Sequence, residues 1–275
     1  KKVGFLFFGE RSLPHTPPMP LPSTTAAPVA RFGILAAMPA EIAALRKVVT
    51  DQVEHKRGEV FSFTTGKLEG CEVVFGASNV GMVFAASAAT TMISEFGATK
   101  LVFSGVAGGL LAGQSIGDIV LGASVINYDM DCRAFKYPWD PSYQLRLGET
   151  PFVEWAHVYP ADPELLKVAR GAPPPAGAAL SEGRIASGSK FCDTAMKAEM
   201  AATHWCHLGD PACCEMENAA VAQVCRAYSV PYLSLRALSD LATGDAAADF
   251  NAFCDAAADN LLPIVRHVVR YSPSS

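Results

Sequence analysis

From Phe32 the chain reads FGILAAM, a short apolar run of strand type, and then PAEIAALRKVV, where apolar positions recur at helical spacing. Pro39 suits the first helical position, where its missing N–H is no loss, and Glu41 falls in the first turn, where the helix dipole favours a carboxylate. Phe61 to Thr65 and Cys71 to Ala77 predict a hairpin about Leu68-Glu69-Gly70, and Val80 to Ile93 an alanine-rich helix. Lys100 to Leu110 predicts a buried strand running into a glycine loop with Gly105, Gly108 and Gly109. Gly117-Asp118 opens another strand, continuing to about Tyr128. Asp129 to Thr150 is irregular and carries Phe135, Tyr137, Trp139 and Tyr143, the composition of a lid or a subunit contact. A helix over Pro163 to Arg170, a short strand from Gly183 and a helix over Asp193 to Ala201 follow.

The chain is organised around Pro211 to Asp240. Met216, Ala220 and Val224 recur every four residues, which predicts a helix from about Met216 to Tyr228. Tyr232-Leu233-Ser234-Leu235 then reads as a buried strand, with Arg236, Ser239 and Asp240 at or just past its C-terminal end. Asp245 to Ala258 and Asn260 to Tyr271 close the chain as one long helix or two consecutive ones. The alternation predicts an α/β class with a mixed, largely parallel central sheet, in one domain or at most two. Ligands bind at the carboxyl ends of strands in such sheets, so Glu215 and Glu217 at a helix start and Asp240 at a strand end are expected to share a crevice.

Half of the 275 residues are hydrophobic, enough for a large core, yet no run approaches the ~20 apolar residues of a membrane span. The net charge of −5, with no cluster of Lys or Arg, argues against nucleic acid as partner and leaves a small molecule or a second protein chain. Eight scattered cysteines fit a reduced, cytoplasmic protein. His204, Cys206 and His207 come nearest to a metal pattern, but their spacing is too short for the usual zinc arrangements, so neither metal nor cofactor is expected. Pro14, Pro17, Pro18, Pro20, Pro22 and Pro28 mark residues 1–31 as an extended, partly disordered extension, with the folded domain over 32–275.

The residues alone leave alternatives open. Glu41 reads equally as an ordinary helix N-terminal charge, and Asp240 as a turn or capping aspartate. The combination FGILAAMPAE, SGVAGGL with GDIV after it, SGSKF, CEMENAAVAQVC and LRALSD is more specific. In that order and at those separations, it resembles the 5′-methylthioadenosine/S-adenosylhomocysteine nucleosidases of the nucleoside phosphorylase superfamily, over roughly Phe32 to Tyr271. The one small departure is MEN where MEA or MEG is commoner.

The resemblance implies a single α/β domain with a twisted mixed central sheet flanked by helices, assembled as a homodimer. It implies hydrolysis of the N-glycosidic bond between adenine and a 5′-thioribose, with 5′-methylthioadenosine as substrate and S-adenosylhomocysteine as a further candidate. It makes Asp240 the acid that protonates adenine N7, with Ser239 beside it, and Glu41 the base that activates water, with Arg236 placing that water. Glu217 and Met216 would hold the ribose, Phe191 would stack on adenine, and the backbone at Cys192 would read its edge. Val80 and Phe250 would line the 5′ pocket, Phe135 and Tyr137 would enter from the partner subunit, and Val106 and Gly108 would complete the substrate site. The chemistry agrees, because an oxocarbenium-like sugar and an anionic base call for a carboxylate on one side and a proton donor on the other. Glu215 is left unassigned, since two carboxylates two residues apart on a helix diverge and are not both expected to contact the sugar.

Two rivals remain on the same fold: a purine or uridine nucleoside phosphorylase, and a nucleoside-binding relative without catalysis. A phosphate site wants cations, and Phe103-Ser104-Gly105 and Ala37-Met38-Pro39-Ala40 supply none at the places where phosphorylases carry arginine. A non-catalytic relative would have lost Glu41, Glu217 or Asp240, and all three are present.

Overall fold

The computed structural model describes residues 31–151, 158–202, 210–244 and 246–272. The expected extension and the group His204, Cys206 and His207 lie outside the described residues, except for Arg31, which opens the first strand. Strand β1 (Arg31–Ala36) runs parallel between β4 (Cys71–Ala77) and β5 (Ala98–Gly109). The expected hairpin puts β3 (Phe61–Leu68) beside β4, and β2 (Thr50–Arg57) forms the outer edge. That edge strand is exposed and carries Asp51, Glu54, Lys56 and Arg57, charges that discourage pairing with another sheet.

On the other side of β1 the sheet closes on itself. β5 pairs with β10 (Tyr232–Asp240), β10 with β6 (Ile119–Asn127), β6 with β8 (Leu180–Ser187), β8 with β9 (Cys213–Glu215), and β9 returns to β5. The short β7 (Tyr159–Pro160) hangs on β6. Parallel and antiparallel pairings number five each among the described strands, so the sheet is mixed but not largely parallel. The β2–β3–β4 meander and the ring closure both require chain reversals within the sheet, which strand–helix alternation in sequence does not reveal.

Helices cover both faces. α1 (Ala43–Val48), α3 (Pro163–Arg170) and α6 (Ala246–Tyr271) share one core with Leu233, Leu235 and Ala237 of β10. α2 (Met82–Ser94) and α5 (Asn218–Ala227) share the other with Tyr232 and Leu238. The two-residue period of the strand thus sends alternate side chains into opposite cores, and every residue of β10 is buried. Met196 and Met200 of α4 (Thr194–Ala202) join a third, smaller cluster with Ile126, Tyr128, Cys192 and Cys214. α6 is a single helix with Pro263 inside it, which settles the choice left open by the periodicity.

Candidate active site

β1 ends at Ala36, and the chain turns through Ala37-Met38-Pro39 into a short 3-10 turn, Ala40–Ile42. Glu41 sits there, buried, and folds back on its own turn. Its Oε2 accepts the N–H groups of Ala37 and Met38, each at 2.8 Å, and its Oε1 accepts the N–H of Val106 at 2.8 Å. The carboxylate is therefore fixed from three directions. Burial raises its pKa, while Arg236 and the three N–H groups pull the other way.

Gly105 makes this approach possible. A Cβ there would lie 2.5 Å from Glu41 Oε1 and 2.6 Å from Arg236 Nη1, distances no side chain tolerates. Gly105, Gly108 and Gly109 belong to β5 and not to a loop after it. Gly105 and Gly108 leave out a side chain beside Glu41, Arg236 and Asp240, whereas Gly109 packs against Gln114, Leu238 and Leu241.

Arg236, wholly buried at the middle of β10, lies over the Phe103 ring with its guanidinium carbon 4.5 Å from the centroid, and donates to the Val106 carbonyl at 3.1 Å. Its closest charge partner is Glu215, with Glu217 4.0 Å away. Glu215 lies on β9 and Glu217 is the residue before α5, so neither is inside a helix. The strand ends at Glu215 and the chain bends through Met216 and Glu217, and this bend brings both carboxyls to Arg236, so the expectation of divergence is corrected. Glu217 accepts the N–H of Gly81 at 2.9 Å, and burial together with the neighbouring Glu215 charge pushes its pKa up to about 8.

Asp240 ends β10 just after a register shift: Leu238 pairs with Ala107 and Asp240 with Gly108, with Ser239 bulged between them. Such a bulge re-aims a side chain. Asp240 Oδ1 accepts the Ala242 N–H at 2.9 Å, and the Ser239 hydroxyl is 2.9 Å from Oδ2. Burial, and more weakly the charge of Asp249, raises the Asp240 pKa above the ordinary carboxylate range.

One cavity of about 270 Å³ collects these groups. Of the residues expected from sequence, Glu41, Val80, Val106, Gly108, Phe191, Cys192, Met216, Glu217, Ser239, Asp240 and Phe250 all line it. Phe191 and Phe250 meet edge to face, with centroids 5.9 Å apart, and Phe191 stays half exposed. Arg236 stands behind the wall. Phe135 and Tyr137 do not line this chain's cavity; they form a separate aromatic group with Trp139 and Tyr143 in the 128–150 segment.

Residues 31–270 match the Phosphorylase superfamily. A 5′-methylthioadenosine/S-adenosylhomocysteine nucleosidase of Shewanella denitrificans is 34% identical over 225 residues, covering 81% of this chain and 91% of the relative. The chain belongs to this nucleosidase family. The nucleosidase of Bacillus subtilis is 30% identical over 244 residues, covering 87% and 98%. Among solved structures, the Neisseria meningitidis nucleosidase in complex with methylthio-immucillin-A has a TM-score of 0.77 at 31% identity, covering 87% of this chain and 98% of that one. The futalosine hydrolase of Helicobacter pylori has a TM-score of 0.76 at 30% identity, covering 88% and 97%.

Within the nucleosidase frame, sequence reasoning passed over several lining residues. Ala37 and Met38 serve through backbone N–H groups, which no side-chain pattern signals. Cys214 faces the cavity from β9, its thiol 3.6 Å from the Gly108 carbonyl. Lys190 lines it too and is a second cation of the neighbourhood, its amine pairing with Glu199 at 3.4 Å. Asn218, the departure from MEA or MEG, is not a lining residue; its side-chain oxygen accepts the Tyr232 hydroxyl beneath the site.

Proposed function

We propose that this chain hydrolyses the N-glycosidic bond of 5′-methylthioadenosine, with S-adenosylhomocysteine entering by the same reaction, to adenine and the 5′-thioribose. The observation that carries the reading is the pair Glu41 and Asp240, two buried carboxyl groups with raised pKa lining one cavity of nucleoside size. Cleavage needs a base for water and a proton donor for the leaving purine, and tuned carboxyls meet both needs near neutral pH.

In this reading Asp240 delivers its proton to adenine N7 as the C1′–N9 bond breaks, and Ser239 holds the carboxyl in place. Water adds to C1′ and gives its proton to Glu41, with Arg236 orienting the site from behind. Glu217 and Met216 hold the ribose, the Glu217 carboxyl accepting from sugar hydroxyls. Phe191 stacks on the base, the backbone at Cys192 reads its edge, and Val106 and Gly108 lie along it. Val80 and Phe250 bound the 5′ end.

The same reading makes the working enzyme a homodimer in which Phe135 and Tyr137 complete the partner's 5′ pocket. Their aromatic group carries Trp139 at 70% exposure, more apolar surface than an isolated chain usually leaves in water. Cys71, Cys132, Cys192, Cys213, Cys214 and Cys225 form no disulfide, which agrees with a cytoplasmic setting. Among the described residues no helix is long and apolar enough to cross a membrane.

The test is incubation with 5′-methylthioadenosine with and without phosphate, following adenine and the sugar product. Free methylthioribose in phosphate-free buffer is expected. A phosphorylated sugar formed only with phosphate would make the protein a phosphorylase, and ligand binding without turnover a non-catalytic relative.

A further inference from the structure

Arg236 places one positive charge among three buried carboxyl groups, Glu41, Glu215 and Glu217, and the three are not equivalent. Glu41 is held by backbone N–H groups, and Glu217 stands 4.0 Å from the guanidinium. Glu215 makes the closest contact to Arg236 and also accepts the N–H groups of Glu217 and Asn218, each at 2.9 Å, and the hydroxyl of Ser187. The direction of that last bond is set by its neighbour. Ser187 Oγ accepts the Ala219 N–H at 2.8 Å, so its own hydrogen is left for Glu215. Every group around the two Glu215 oxygens is thus a donor, and such a shell suits a carboxylate and has no acceptor for a carboxyl proton.

We propose that Glu215 is a positioning residue for hydrolysis: it anchors the Arg236 guanidinium and neutralises its charge, so that Glu41 stays free to take the proton of the attacking water. The proposal rests on the hydrolytic reading, in which Glu41 is the base. Without Glu215 the guanidinium would turn its full charge on Glu41 and Glu217, lowering the proton affinity of both and drawing Glu41 out of its backbone cradle. Among the described residues, the other titratable groups facing Arg236 are Cys213 of β9 and Tyr232 of β10, both held neutral by burial, so Glu215 has no substitute there as counter-ion outside the site itself.

The experiment compares kcat and kcat/KM for 5′-methylthioadenosine across pH, in phosphate-free buffer, for wild type, Glu215→Gln and Glu41→Gln. Glu41→Gln is expected to be folded and inactive. Glu215→Gln is expected to lose about tenfold or more in kcat, and the acid limb of its kcat/KM profile to move down by about one pH unit, because the base now feels an unneutralised arginine. A merely structural glutamate would lower the melting temperature and leave that limb in place. Folded Glu215→Gln with the wild-type limb and kcat, beside an inactive Glu41→Gln, overturns this inference alone. A Glu41→Gln that hydrolyses at the wild-type rate overturns the base assignment and this inference with it. Should Glu215→Gln not fold, Ser187→Ala removes one donor while the charge stays. Its kcat is expected to fall several-fold with the acid limb unmoved, and a wild-type kcat overturns the proposal.

Discussion

Gly108 and the carboxyl of Asp240 pack so closely that a Cβ on Gly108 would lie 2.8 Å from Asp240 Oδ1. That oxygen is already held by the Ala242 N–H, and the other lies against Ser239, so the short side chain has little room to give way. Gly108→Ala is therefore expected to displace the acid while the strand survives, since β5 is paired on both sides there. Turnover should fall by ~10²-fold, the scale of an ångström-sized misplacement. Steady-state kinetics together with a melting curve check this; a folded variant with normal turnover would show that Asp240 does not need its present position.

Asp240→Asn keeps the shape and removes the transferable proton. A loss of ~10²-fold or more in kcat with near-normal melting is expected. The raised pKa also sets a sign. An acid works while protonated, so wild-type activity should decline as pH rises through the Asp240 pKa, and that decline should be absent from the residual activity of the variant.

Glu217 gives a stability test. Its folded pKa of about 8 lies above the 4.5 of an ordinary glutamate, so between those limits the folded state keeps a proton that the unfolded chain releases. Stability attributable to this group is full below the lower value and is lost as pH rises towards the upper one, by at most ~1.4 kcal/mol per pH unit. Glu217→Gln has nothing to titrate there. The melting temperature of the variant relative to wild type should rise steadily from pH 5 to pH 8, and a difference independent of pH would refute the raised pKa.

Phe135→Asp addresses the proposed shared site. The variant should dissociate more readily in sedimentation experiments and lose activity towards 5′-methylthioadenosine in parallel, both recovering in part at high protein concentration by mass action. Sedimentation of the wild type as a fully active monomer at assay concentration would exclude a borrowed 5′ pocket.

The periodicities of the chain determined most of the elements: the hairpin about Glu69, the buried run at Tyr232, the helices after Pro163 and Asp193, and the order of strand and helix that makes an α/β domain. The motifs carried the family, and with it the residues that line the cavity. Tertiary structure alone decided how those residues cooperate. The closing of β5, β10, β6, β8 and β9 into a ring depends on pairings between strands far apart in sequence. Gly105 and Gly108 read as a loop because their use, leaving room for Glu41, Arg236 and Asp240, arises from segments up to 132 residues distant along the chain. Glu215 was misjudged for a related reason: the Glu-Met-Glu stretch has helical periodicity after it, yet pairing with Gly108 and Ala186 through Cys214 holds its first part extended. A two-residue spacing diverges on a helix; here the strand ends at Glu215, the bend at Met216 and Glu217 brings both carboxyls to Arg236, and only the neighbouring strands fix where that bend falls.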